Sequence, residues 1–169
     1  IPAGHPQNPD TCLRPLQVGG AKEQFKCRQG APTYTVTFDI DANGHLTNKS
    51  APVFVGYGGR YAEDHYWPSI TIDSTGILHL IINGHADPIT YASSTNPRDI
   101  SSWSTPVYIG DGNTYGTLDI DADDNLYIIT RDDHEGYYFN LGLSKKSPGQ
   151  NWVTHRYLVK LAKAYYNVW

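Results

Sequence analysis

The chain has 169 residues, of which 39% are hydrophobic, 18% charged and 12% aromatic, enough for one domain with a buried core. A formal charge of −4 disfavours a generic grip on nucleic acid or an anionic membrane. No apolar run approaches the roughly 18 residues of a membrane span, and thirteen Tyr with sixteen Gly and eleven Pro point to a turn-rich, all-β protein.

Residues 1–33 read as a loop-rich lead-in with several prolines and the pair Gly19-Gly20. The sequence contains no Met, even at position 1, so it reads as a processed chain or part of a longer product. Cys12 and Cys27 enclose fourteen residues. In a secreted protein they would close a disulfide loop worth about 3 kcal/mol, and the composition agrees with export.

One phrase then recurs three times, as FDIDANGHL from Phe38, ITIDSTGIL from Ile70 and LDIDADDNL from Leu118. Each is a strand, an Asp, a short turn with Gly or Asn, and a second strand. The Asp side chain can accept from backbone N–H groups of its own turn, and Gly or Asn tolerates positive φ, so the unit predicts a β-hairpin. The stretches after the second and third hairpins also correspond: Pro97 leads to Trp103 and Pro148 to Trp152. Asp73 and Asp121 are 48 residues apart, and Pro97 and Pro148 are 51 apart. Four strands repeating every 40–50 residues or so is the period of a β-propeller blade. The alternative is a β-sandwich with similar hairpins.

Blades are expected at about 66–109 and 113–158 of a partial propeller spanning 34–169. Residues 34–58 supply part of an earlier blade and 159–169 the start of another, while Tyr157–Tyr166 alone is also compatible with a helix. Propellers typically close with four to eight blades, so further blades are expected from the rest of a precursor or from other chains.

Most polar residues fit an alternating scaffold, but several fall at strand ends. His65 precedes the first strand of one blade and His85 follows its second; Tyr115 and Arg131 hold the corresponding places in the next. All four could converge on the propeller mouth, with Tyr66, Trp67, Asn83 and Tyr91 as sugar-binding neighbours. His45 reads as a turn residue, His79 as a strand residue and His155 as part of an outer strand. Zinc on His65, His79 and His85 would lack a compact ligand motif, and no metal or cofactor is expected.

The runs HYWPSITID from His65, GHADPITYASS from Gly84 and YGTLD from Tyr115, with NLYIITR ending at Arg131, resemble the BNR-repeat-containing proteins that include propeller-type ulvan lyases. The resemblance covers about residues 34–158, and the intervals of 20 residues from His65 to His85 and 16 from Tyr115 to Arg131 both fit. It implies a seven-bladed propeller that cuts uronate-containing polysaccharide by β-elimination. It further implies His65 and Tyr115 as acid and base, in either order, with His85 and Arg131 near the uronate. The segment Gly149–Trp152 keeps the Gly-x-x-Trp of the bacterial neuraminidase repeat without its Asp. An acidic polysaccharide is the expected partner, outside the cell. The competing class is a secreted, non-catalytic carbohydrate-binding or structural propeller. A sialidase-like hydrolase would want an arginine triad, for which only Arg131 is well placed.

Overall fold

The computed structural model of the chain describes residues 31–58, 67–82, 87–132 and 138–162. Among these there is no helix, and eleven strands follow in chain order. They are β1 (Ala31–Thr35), β2 (Asp39–Ile40), β3 (Leu46–Thr47), β4 (Val53–Gly58), β5 (Pro68–Ile72), β6 (Leu78–Ile82), β7 (Asp87–Ser93), β8 (Val107–Ile120), β9 (Leu126–Asp132), β10 (Tyr138–Lys146) and β11 (Val153–Ala162). The helix-compatible stretch from Tyr157 is strand as far as Ala162, the end of β11. Its alternation continues the ladder with β10.

The three repeated phrases fold into the same turn. In each, the Asp N–H donates to the carbonyl four residues on: Asp41 to His45, Asp73 to Ile77 and Asp121 to Asn125, all at 3.0 Å. Oδ1 of the same Asp accepts two backbone N–H groups of its turn: Asn43 and His45 at Asp41, Thr75 and Ile77 at Asp73, Asp123 and Asn125 at Asp121. Positive φ falls at Gly44 (82°), Gly76 (91°) and Asp124 (60°). In the third turn the left-handed residue is thus Asp124 and not the Asn that follows it. Asp tolerates this region because its short side chain bonds locally; here Asp124 also accepts from the Ser74 N–H (2.9 Å) and hydroxyl (2.5 Å).

Strands β1 to β4 form one antiparallel ribbon, since β1 pairs with β4, β2 pairs with β3, and Ser50 N–H bonds the Thr37 carbonyl between them. The other seven strands are linked in the order β11-β10-β9-β8-β7-β6-β5. They resolve into two four-stranded sheets, because the long β8 serves both. Its first part, up to Asn113, pairs with β7, and its second part, from Asn113, pairs with β9. The inner strands of the two sheets lie side by side, with Leu118 N–H donating to Ser69 Oγ at 3.1 Å. Successive four-stranded antiparallel sheets stacked by their faces, joined from outer strand to next inner strand, are blades of a β-propeller.

Two apolar layers hold the stack. Val55 of the ribbon meets Leu80, Ile82 and Ala92 of the first blade. On its other face, Ile81, Ile89, Tyr91 and Ile109 meet Leu118, Leu126 and Ile128 of the second, with Trp152 at the margin. Strand β6 supplies both layers from alternate residues, Leu80 and Ile82 to one side and Ile81 to the other, as the two-residue period of a strand requires. Full burial of each such isoleucine contributes about 1.5–3 kcal/mol.

Candidate active site at the strand ends

The Asp turns mark one end of the blades. At the other end lie the start of β5, the end of β6, the start of β7, the crossing in β8 and the end of β9. The register brings these together: Pro68 pairs with Ile82, Asp87 with Asn113, Asn113 with Asp132 and Thr114 with Arg131. Tyr115 and Arg131, singled out by their equivalent places in the sequence, meet at this edge.

Tyr115 sits in an irregular stretch of β8, where the pairing register with β9 shifts between Thr114 and Thr117. Its φ is 56°, in the left-handed region that an aromatic side chain rarely occupies. Such backbone costs about 1–3 kcal/mol and survives only where its surroundings impose it. The ring is buried, with the Arg131 guanidinium carbon 4.8 Å from its centroid on one side. The Trp67 ring lies 5.9 Å away, tilted by 35°. A cation over an aromatic face contributes about 2 kcal/mol where water is excluded. Arg131 is only 2% exposed, while Trp67 is 50% exposed. A permanent cation is therefore held inside the blade end, beside a tyrosine, with an indole facing solvent next to them.

Beside Tyr115 and Arg131 along β8, β9 and β10 lie buried polar residues not singled out in the sequence. Asn113 Oδ1 accepts from the Thr130 hydroxyl at 3.2 Å, and Asn113 Nδ2 reaches the Ile109 carbonyl at 3.5 Å. Asn140, opposite Asp132 on β10, is buried with Nδ2 lacking a hydrogen-bond partner among the described residues. The available signal was a break in the apolar face of β9, where Leu126 and Ile128 are followed by Thr130.

Tyr91 is placed away from this edge. It lies on the face of Ile89, pairs with Ile81 and packs edge-on against Trp152 at 5.3 Å, so it is a core residue and offers no ring face to a sugar. Burial pushes its phenol upward, only partly opposed by the hydrogen bond with Ser93. Its hydroxyl meets His79 Nδ1 at 2.8 Å, and His79 Nε2 meets Asp73 Oδ2 at 3.2 Å. Both His79 nitrogens are thus engaged within the first blade. Among the described residues no group of three His, Cys, Asp or Glu could hold a metal ion. His65, Tyr66, Asn83, His85, Cys12 and Cys27 lie outside the described residues.

A family model for BNR repeat-containing proteins matches residues 33–160, and the chain belongs to that family. No curated protein sequence matches the chain. The fold is shared with a solved polysaccharide lyase described as an ulvan lyase of a new family, at 19% identity and a TM-score of 0.53 over 68% of this chain. A second structure of that description, bound to -[GlcA(1-4)Rha3S]-, matches at 18% identity and a TM-score of 0.52, again over 68% of this chain. The chain spans 30% of the length of either lyase structure.

Proposed function

We propose that the chain supplies part of the catalytic groove of a secreted polysaccharide lyase that cuts uronate-containing, ulvan-type polymer by β-elimination. The observation that carries this reading is the buried Arg131 guanidinium held 4.8 Å from the Tyr115 ring centroid at the strand ends. The fold shared with an ulvan lyase supports it. The chain's share of such a protein leaves further blades to complete the groove.

The chemistry needs few parts. A base removes the uronate C5 proton, the C–H electrons form the C4–C5 double bond, and the C4–O bond breaks. An acid then protonates the leaving oxygen. The C5 proton is only weakly acidic, so charge moving into the carboxylate must be met by positioned donors; Arg131 supplies one, and the family resemblance assigns the second role to His85. His65 and Tyr115 divide the proton transfers, since imidazole titrates near neutrality and a phenol can give a proton to an alkoxide. Trp67, exposed beside Tyr115, is suited to stack on a sugar ring.

That exposed indole also favours a second reading, a non-catalytic sugar-binding propeller. One experiment separates the two. The full-length protein is incubated with uronate polymers and the ultraviolet absorbance of the unsaturated product is followed. The lyase reading expects product from the wild type, and Arg131→Ala losing far more turnover than affinity, because its charge matters most as the carboxylate gains negative character. Binding without product from any uronate polymer assigns the groove to recognition alone.

A further inference from the structure

Strand β8 must leave one blade and enter the next within a few residues of Tyr115. Asn113 is the pivot: it is the β8 residue paired on both sides, with Asp87 of β7 and Asp132 of β9. Three residues earlier, Gly110 turns the chain with φ 63°, and the space a side chain there would need is filled by the Asn113 amide. That amide is tied in turn to the Thr130 hydroxyl of β9, with both residues buried. On the far side of the irregularity, the Leu118 N–H is held by Ser69 Oγ of the neighbouring blade. Tyr115 and its left-handed backbone lie between these two ties. Strained backbone next to a β-bulge re-aims a side chain, and it persists only when its flanks are fixed.

We infer that Asn113, locked by Thr130, is a positioning residue that sets where the Tyr115 phenol stands relative to Arg131. This rests on the reading of Tyr115 as a proton-transfer group, though its geometric part can be tested without that reading. Asn113 acts through Tyr115 and need not touch substrate. Removing the Thr130 hydroxyl would leave Asn113 Oδ1 buried without this donor, and the amide would have to turn to find another. The Gly110 turn and the bulge would then relax together, and Tyr115 would move with them.

The test uses three variants of the full-length protein: Thr130→Val, which keeps the shape and loses the hydroxyl, Thr130→Ser, which keeps the hydroxyl, and Asn113→Ala. Fluorine NMR of fluorotyrosine-labelled protein follows the resonance that Tyr115→Phe removes. The expected result is that Thr130→Val and Asn113→Ala shift or broaden it, while Thr130→Ser leaves it in place. On a uronate polymer, kcat should fall about 10–100-fold in the first two with KM changed less than about threefold, and Thr130→Ser should retain activity. Asn113→Ala should add nothing to the loss already caused by Tyr115→Phe, because both act on one group. An unmoved Tyr115 resonance in Thr130→Val and Asn113→Ala overturns the inference, as do losses from Asn113→Ala and Tyr115→Phe that multiply. A folded wild type that forms no unsaturated product from any uronate polymer fails the lyase reading alone; the resonance still decides whether Asn113 positions Tyr115.

Discussion

The two ends of these blades are built from the same strands under opposite rules. At the turn end each Asp closes its own hairpin, the left-handed residue within each hairpin turn is Gly or Asp, and the arrangement repeats three times with little change. At the other end an aromatic residue takes positive φ, a strand loses register, and an arginine and two asparagines are buried. Hairpin turns that follow local preference, opposite an end where an aromatic residue breaks it, put that cost where a site would need it. The contrast separates the residues that make the blades from those the blades hold in place.

A large effect expected from this contrast is at Arg131. Arg131→Lys keeps the charge but loses the planar fork and its stacking on the Tyr115 ring, and turnover on a uronate polymer should fall by a factor of about 10² or more. Retention of most of the activity would show that the site needs only a positive charge.

Next comes the layer between the blades. Ile81 is fully buried there, and Ile81→Ala should destabilise the protein by about 2–5 kcal/mol in denaturant unfolding. A loss well under 1 kcal/mol would mean that the blade faces are not packed as described.

The smallest effect belongs to the turns and appears only in acid. Partial burial pulls the Asp121 carboxyl upward, but hydrogen bonds from the Asn125 backbone and side chain, the Tyr127 hydroxyl and the Asp123 N–H outweigh it and hold it at about 2, below the ordinary 3.8. A depressed folded value means that the ionised form is favoured by folding. The stabilisation is therefore complete above about pH 4 and is lost as pH falls towards about 2. Thermal melts across this range should show a shallower acid dependence for Asp121→Asn than for the wild type. Equal slopes would remove Asp121 from the acid response.

The sequence made the turns legible because a side chain bonding its own backbone is local chemistry, repeated at a readable spacing. It also marked Tyr115 and Arg131, through their matching places in consecutive repeats and the family resemblance. Asn113 and the bulge were not legible, since a left-handed aromatic residue has no sequence signature and the Asn113–Thr130 bond joins different strands. Tyr91 shows the limit from the other side. Aromatic rings at a blade rim and in a blade face look alike in sequence, and only the register, with Ile81 opposite and Trp152 from the next blade across it, puts this one in the core.

The two tyrosines allow the most direct test, because the same oxygen atom can be removed from each. Tyr91→Phe should cost about 0.5–1.5 kcal/mol of stability through its lost bond to His79 and leave the rate of unsaturated uronide formation unchanged. Tyr115→Phe should lower that rate by about 10²–10⁴-fold in a protein that remains folded. Equal rates in the two variants would contradict the assignment of the chemistry to the Tyr115 end of the blades.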